Sequence, residues 1–340
     1  MKLTIKSKEF NILPLTIVDT NILKGIALLL LLLHHLFYIR TGLYDDIQIY
    51  QSHYLVNEIG WFSKLCVAIF VFLSGYGLTI QANKTIKINI FKFYKHRFLK
   101  LYLNYWFIWL IFVPIGILFF HRTFEIVYVN HIWEKFLIDI WGLSYAFGFH
   151  GYNATWWFYS CIIILYLIFP FLYKLLKKYN IILIIISLII YFYPFSILGT
   201  IREYLISFVL GMIFANGIKV KLPYIDKWLL TIIFIITCCV RNQLGVYAIL
   251  WDNVICIVGI ILYQRIKLFN SASIFLEFLG KHSMNIFLFH TFIYSYYFEN
   301  LIFFSRNPII IFCTLLFVCI LISIIIELIK NKIGFYKINI

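Results

Sequence analysis

Long apolar runs, separated by short polar and mostly basic segments, dominate the hydrophobic pattern of this chain. Many of these runs approach the length of about 20 residues at which a helix crosses a hydrocarbon core. Because backbone groups in lipid must be hydrogen-bonded within their own segment, continuous runs predict helices rather than strands. We therefore predict an all-α, polytopic membrane protein. Its spans, about ten, are expected at residues 22–40, 62–82, 101–120, 156–173, 180–198, 201–217, 228–244, 246–263, 274–298 and 308–329.

The segment at residues 131–149 does not fit a simple loop. It is apolar and rich in Trp and Tyr, but Glu134, Lys135 and Asp139 interrupt it. This composition is typical of a helix that lies at the membrane interface or enters the membrane from the outer face and returns. Two additional poor spans are the alternative, and they would leave both termini on the same side.

Composition and charge indicate a membrane protein rather than a soluble or nucleic-acid-binding protein. Hydrophobic residues make up 63% of the chain and charged residues 13%, whereas a soluble domain carries about 25% charged residues. The net charge is +15, but the cations concentrate in alternate loops, as the positive-inside rule predicts for cytoplasmic loops and termini. We expect a single domain over residues 1–340, embedded in membrane lipid, without a nucleic-acid partner. The seven cysteines lack the spacing of a metal site, so no metal is expected.

Lys24 and His35 are the first candidate functional residues. Eleven residues along a helix amount to about 1100°, only about 20° beyond three turns, and to about 16 Å along the axis. Both side chains therefore share one face of the first predicted helix, whereas His34 points about 100° away. Ionisable groups within a membrane usually face the bundle interior or a wet cavity. The alternative is a snorkelling lysine with an incidental histidine at the outer interface.

The second feature is VAIFVFLSGYGL (67–78), followed by the basic segment KINIFKFYKHRFLKLY (87–102). Ser74, Gly75 and Gly77 are small enough to allow close helix packing. The basic segment is explained either by topology and attraction to anionic lipid or by a ligand with several phosphates. Arg97 is the most specific candidate, because a guanidinium group makes bidentate contacts with phosphate.

Five motifs, in order along the chain, resemble membrane acyltransferase family 3, the bacterial O-acyltransferases of cell-surface glycans. NILKGIALLLLLLHH resembles the opening helix of that family, whose motif is Arg or Lys, ten residues, and then His, matched by Lys24 and His35. FVFLSGYGL is similar to the family's FFxLSGF segment. YKHRFLKLY is similar to its Arg-x-x-Arg loop, with Lys100 at the second basic position. TWWFYSCIIILYLIFP resembles a WF…Y…P helix, and LGKHSMNIFLFH resembles LGxxSYxIYLxH.

The resemblance implies an acyl-CoA donor, with acetyl-CoA expected, on the cytoplasmic side of a bacterial cytoplasmic membrane. The acceptor would be an exported or lipid-linked glycan on the outer side. His35 would act as a general base or accept the acyl group transiently. The catalytic residues would be His35, Lys24 and His290. The donor would be bound by Lys24, Lys95, Arg97 and Lys100, and the acceptor by Tyr166, Trp157 and Ser283.

Several of these assignments have structural alternatives. Ser283 and His290 are seven residues apart, about 20° short of two turns, and so share a helix face; the resemblance implies that they line the same cavity, whereas the alternative is a histidine hydrogen-bonded within the bundle. Tyr166 is expected either to place the acceptor or only to pack. Trp157 is expected to stack on a sugar or to anchor the helix at the interface.

Two positions depart from the family pattern. Many members carry a Glu near Ser160, in a WSLxxE version of the helix, and this chain has no carboxylate there, with Cys161 at the next position. An acid often lies three positions before the basic residue of the first helix, where this chain has Asn21. Neither Glu203 nor Asp252 can be assigned to replace these carboxylates from the sequence.

Other classes of membrane protein remain as alternatives to the enzyme. An exporter of a polysaccharide precursor would perform no covalent chemistry and is expected to show internal repeats and broken helices, which the sequence does not reveal. A glycan polymerase or ligase is expected to carry a large cationic outer loop, whereas the predicted outer loops here are acidic and aromatic. A scaffold or receptor would not account for the pairing of Lys24 with His35.

Overall fold

A computed structural model describes residues 9–10, 14–85, 89–193, 199–217, 222–223, 226–266 and 268–337. Lysines 2, 6, 8, 87, 219, 221 and 267, which the charge pattern assigns to the cytoplasmic side, lie outside these residues. The described α-helices are α1 (Ile17–Phe37), α2 (Leu55–Phe62), α3 (Leu65–Ala82), α4 (Ile90–Phe119), α5 (Phe124–Tyr128), α6 (Ile132–Ile140), α7 (Trp157–Lys178), α8 (Asn180–Phe192), α9 (Gly199–Ala215), α10 (Lys227–Arg241), α11 (Ala248–Arg265), α12 (Asn270–Thr291), α13 (Glu299–Phe303) and α14 (Pro308–Lys332).

Shorter elements connect these helices. Single 3₁₀ turns occupy Ser144–Phe147, Ala154–Trp156, Asn242–Tyr247 and Phe335–Lys337, and a π-helical segment, Phe292–Tyr297, continues α12. Two short antiparallel strand pairs complete the described elements, and the paired strands are β1 (Glu9–Phe10) with β4 (Leu222–Pro223), and β2 (Gln48–Tyr50) with β3 (His53–Tyr54). The chain is therefore an almost entirely helical bundle, as the sequence predicts.

The described residues contain six helical stretches long and apolar enough to cross a membrane: Ile17–Phe37, Leu55–Ala82, Ile90–Phe119, Ala154–Lys178, Lys227–Arg265 and Pro308–Lys332. The predicted spans at 228–244 and 246–263 fall in the fifth stretch, where a 3₁₀ turn joins α10 to α11. The predicted span at 201–217 coincides with α9, which has 17 residues. The chain is thus a multi-pass membrane protein, while the count of ten and the location of the termini stay predictions.

Glycines bring the central helices into backbone contact. A Cβ added at Gly25 of α1 would lie 2.1 Å from the Leu276 carbonyl oxygen of α12, and one at Gly280 of α12 would lie 1.9 Å from the Asn21 carbonyl oxygen. Gly75 of α3 meets the backbone of α9 in the same way. Such small residues allow membrane helices to pack closely, so α1 is held against α12 and α3 against α9.

The segment between α4 and α7 forms a cover over one end of the bundle. Helix α6 has nine residues, or about 14 Å, which is too short to cross a bilayer. The alternative of two additional spans in this segment is therefore wrong. Trp133 and Leu137 are exposed on α6, at 71% and 58%, whereas Asp139 on the same helix is fully buried.

Asp139 anchors this cover to the bundle. Its Oδ2 accepts hydrogen bonds from the Tyr128 hydroxyl at 2.8 Å and from the Tyr152 amide at 2.6 Å. Its backbone carbonyl accepts from the Tyr105 hydroxyl of α4 at 2.6 Å. Burial raises the pKa of the Asp139 carboxyl group, and the two hydrogen bonds to it partly oppose that effect. The residues after α6 are thereby held in place beside α7.

A buried ion pair fixes α10 against α11. Arg241 Nε lies 2.8 Å from Asp252 Oδ1, and both side chains are fully buried. Arg241 Nη1 also donates to the Trp61 carbonyl of α2 at 2.7 Å. Loss of either partner would leave an uncompensated charge in the protein interior. Asp252 therefore stabilises the packing of α10 against α11.

Candidate active site

Lys24 and His35 both lie on α1, which begins with a capping box. Thr16 Oγ1 accepts from the Asp19 amide at 3.1 Å, and the Asp19 carboxylate accepts from the Thr16 amide at 2.8 Å. The Tyr263 hydroxyl donates to the same carboxylate at 2.6 Å. Asp19, the acid closest to the departure at Asn21, therefore caps the helix that carries both residues.

A cavity of about 440 Å³, which we name the basic cavity, lies beside the first half of α1. Lys24 from α1 meets Arg97 and Lys100 from α4 on its wall. Within the part of the chain that the structure describes, none of these three cations forms an ion pair. Their charges are therefore available to an anionic ligand.

The carboxylate of Glu327, on α14, also lines the basic cavity but is bound by its neighbours. Asn285 Nδ2 donates to it at 2.7 Å, Lys330 Nζ lies 3.5 Å from the same oxygen, and the Tyr336 hydroxyl donates to the other oxygen. Lys330 is fully buried and also donates to the Asn104 side chain at 2.7 Å. Lys330 offsets the charge of Glu327, so the cavity keeps its positive character.

Of the other predicted site residues, some line the basic cavity and others do not. Tyr166 and Ser283, expected to bind the acceptor, both line it, beside Ser74 of the FVFLSGYGL motif. The Ser283 hydroxyl donates to the Gly280 carbonyl at 2.7 Å. Lys95, expected to bind the donor, is exposed and is not part of the wall. The structure thus brings together three of the four predicted donor-binding cations.

A second cavity of about 370 Å³, the histidine cavity, lies beside the second half of α1, where both His34 and His35 line it. His34 Nδ1 lies 2.8 Å from the Gly60 carbonyl oxygen. Because a carbonyl only accepts, Nδ1 carries the proton and Nε2 of the neutral ring is an acceptor. His35 Nδ1 is buried and finds no hydrogen-bond partner among the described residues.

His290 lies behind His35 rather than on the cavity wall. The two ring centroids are 5.0 Å apart, and His290 is fully buried. Its Nδ1 lies 3.0 Å from the Ile286 carbonyl oxygen and 2.9 Å from that of Phe287, so Nδ1 donates and Nε2 is left as an acceptor. His290 thus has its own tautomer fixed by α12 and packs against the ring of His35.

Residues to which the sequence assigned no role in the site complete the histidine cavity. They come from the start of α3, the cover and the first turn of α9, and are Lys64, Tyr145, His150, Thr200 and Glu203. Trp157, predicted as an acceptor-binding residue, lines the same cavity, with its ring centroid 6.2 Å from that of Tyr145. Glu203 and its neighbour Arg202 are the two charged residues of α9, which is otherwise mostly apolar, and charged residues in such a helix are a signal of function in a membrane protein.

Three phenylalanines border both cavities and separate them. Phe70 of α3, Phe158 of α7 and Phe287 of α12 line the basic cavity and the histidine cavity alike. The ring centroids of Phe70 and Phe158 are 6.3 Å apart, and those of Phe158 and Phe287 are 5.1 Å apart. Among the described residues, these three rings therefore form the boundary that the two cavities share.

The described residues contain no group of three or more His, Cys, Asp or Glu side chains able to hold a metal ion. The family model described as "Acyltransferase domain" matches residues 17–328. This range covers all residues that line the two cavities except Tyr336. No curated protein and no solved structure matches the chain significantly. Because the model covers nearly the whole chain, the protein belongs to acyltransferase family 3 and is a multi-pass membrane acyltransferase.

Proposed function

We propose that this acyltransferase moves an acyl group, with acetyl expected, from cytoplasmic acyl-CoA to a hydroxyl group of a cell-surface or exported polysaccharide. The observation that carries the proposal is the pair of cavities beside α1. One is cationic, the other contains histidines, and among the described residues three phenylalanine rings border both. Such a pair offers separate environments to a phosphate-bearing donor and a sugar acceptor whose reacting groups must meet.

The chemistry of the basic cavity suits the donor. Coenzyme A carries several phosphate groups, and charge-assisted hydrogen bonds from lysine and arginine are the strong contacts to phosphate. Arg97 supplies a planar fork for bidentate contact, while Lys24 and Lys100 act as point charges. Because basic residues mark the cytoplasmic side of membrane proteins, we place this cavity at the cytoplasmic face of a bacterial membrane.

The spacing along α1 suits the shape of an acyl-CoA. Its thioester is at the end of an extended pantetheine arm, remote from the phosphates. Lys24 and His35 are separated by about 16 Å along the helix axis. With the phosphates in the basic cavity, the arm would pass between Phe70, Phe158 and Phe287 and present the thioester to His35.

The histidine cavity suits a saccharide. Trp157 and Tyr145 offer aromatic faces for the C–H face of a sugar ring, and Thr155 and Glu203 offer hydrogen-bonding oxygens for its hydroxyl groups. Lys64 adds a cation to the same wall. We therefore assign the acceptor to this cavity. In this proposal, Tyr166 and Ser283 do not bind the acceptor.

In the proposed reaction, a neutral His35 imidazole accepts the proton of the attacking hydroxyl group. The hydroxyl oxygen forms a bond to the thioester carbonyl carbon, and the bond from that carbon to sulfur breaks. The proton then passes from His35 to the departing thiolate, which leaves as free coenzyme A. His290 positions the His35 ring from behind, because the two rings are in contact and the tautomer of His290 is fixed.

Deletion of the gene tests this proposal in cells. We expect base-labile acyl esters to disappear from the surface polysaccharide while the amount of polysaccharide is unchanged, since the reaction modifies a finished or growing chain. Complementation with the wild-type gene should restore the esters. Ester content is measured by mild alkaline release and quantification of the acyl acid, and total sugar is measured in the same sample.

Two outcomes would contradict the proposal. If the polysaccharide itself disappears from the surface, the protein serves export or assembly of the glycan. If ester content is unchanged and no other envelope glycan loses an acyl group, the acceptor assignment is wrong.

A further inference from the structure

A third cavity of about 380 Å³, the aromatic pocket, adjoins the histidine cavity. Glu203 lines both of them, so the two spaces meet at its side chain. The aromatic pocket is built by the end of α2, the end of α8, the start of α9 and the 3₁₀ turn before α11. It is thus a continuation of the site assigned to the acceptor, and Phe70, Phe158 and Phe287 are not among its lining residues.

The lining of the aromatic pocket combines flat rings with charged groups. Trp61, Tyr191 and Tyr247 supply the rings, and Arg202 lies beside Glu203. The Tyr191 hydroxyl donates to the Val246 carbonyl at 3.2 Å, which ties α8 to the 3₁₀ turn. Tyr247 is 55% exposed, so more than half of the residue's surface is accessible.

Arg202 provides an independent indication of a ligand. Its Nε is buried and has no hydrogen-bond partner among the described residues. A buried donor without a partner is destabilising, and a hydrogen bond from the Arg202 guanidinium group to a ligand oxygen in the pocket would offset that loss. An acyl chain of a lipid would leave this donor unsatisfied, whereas a hydroxyl group would not.

We propose that the aromatic pocket binds a sugar residue next to the one that is acylated. This inference rests on the proposed function and refines it, because it has the site bind two consecutive sugar residues of the polysaccharide rather than only the one that is acylated. The accepting residue occupies the histidine cavity, and its neighbour stacks on the aromatic rings. Glu203, at the junction, accepts hydrogen bonds from hydroxyl groups of both residues.

Saccharide binding by the purified full-length protein in detergent tests the inference. The probes are fragments of the host's surface polysaccharide, deacylated with mild base and cut to one or to four repeating units. The wild type should bind the longer fragment at least tenfold more tightly, as measured by saturation-transfer NMR titration. Tyr247→Ala should reduce this preference by about tenfold, since it removes a stacking face.

Two further variants complete the experiment. Val246 is 80% exposed beside the pocket, and Val246→Trp should reduce the preference by filling the space without removing any existing contact. Trp133→Ala is the matched control, because Trp133 is an exposed aromatic residue that lines none of the three cavities. It should retain the wild-type preference for the longer fragment. Elution of each variant as a single peak from gel filtration confirms its folding.

The outcomes separate the inference from the proposed function. If the wild type transfers acyl groups but binds both fragments equally, the inference is wrong and the function stands. The inference is also wrong if Tyr247→Ala and Val246→Trp keep the preference, or if they change only the amount of copurified phospholipid. If the wild type neither transfers acyl groups nor binds either fragment, the proposed function itself fails.

Discussion

His35→Ala is expected to lower the kcat of acyl transfer by about 100- to 10,000-fold, the usual contribution of a general base. The affinity for acyl-CoA should stay within about twofold of the wild type, because the phosphates would bind in the other cavity, about 16 Å away along α1. The measurement is the initial rate of ester formation at saturating donor, together with the dissociation constant of acetyl-CoA.

Two other histidine variants test whether the loss of activity is specific to His35. His53→Ala is the control, since His53 is an exposed residue that pairs with Glu58 on the surface. It should transfer acyl groups at the wild-type rate. His34 lines the same cavity as His35, so His34→Ala decides which imidazole takes the proton. Full activity of His35→Ala together with inactivity of His34→Ala would contradict the assignment of His35.

Arg97→Ala is expected to weaken acetyl-CoA binding by about 10- to 100-fold. A hydrogen bond to a charged group contributes about 1.5 to 3 kcal/mol, and each 1.4 kcal/mol corresponds to about tenfold in affinity. Arg97→Lys should recover only part of the loss, because an ammonium group cannot make the bidentate contact. Isothermal titration calorimetry of the purified variants with acetyl-CoA measures the effect.

Lys92→Ala is the matched control for Arg97→Ala. Lys92 lies on the same helix, but it is exposed and does not line the basic cavity. Its removal takes away the same charge and should leave affinity within about twofold of the wild type, since exposed charges are screened by salt. Equal losses in Arg97→Ala and Lys92→Ala would show that the basic segment acts through its general field. No loss in Arg97→Ala would contradict the assignment of the donor to the basic cavity.

The sequence predicts those features that depend on one helix at a time. Apolar length identifies the membrane protein, and the eleven-residue spacing of Lys24 and His35 places both on one face of α1. The structure adds that each lines its own cavity. The family motifs predict the acyltransferase, and the matching family model confirms it.

The sequence does not predict features that depend on which helices are neighbours. Ser283 and His290 share a face of α12, but seven residues amount to about 10 Å along the axis, and Phe287 between them borders both cavities. Ser283 therefore lines the basic cavity, while His290 packs behind His35. Glu203 lines the histidine cavity, and its helix α9 packs closely on α3 through glycine, a contact between helices that the sequence does not predict.

The central claim is that one acyl group passes from a donor at the basic cavity to an acceptor at the histidine cavity on the other side of the phenylalanine rings. Proteoliposomes with the protein in a single orientation test it most directly. Labelled acetyl-CoA is supplied only on the side of Arg97, and deacylated polysaccharide only on the side of His150. The account predicts base-labile label on the polysaccharide and free coenzyme A in equal amounts. Label that appears only when donor and acceptor share one side would contradict it.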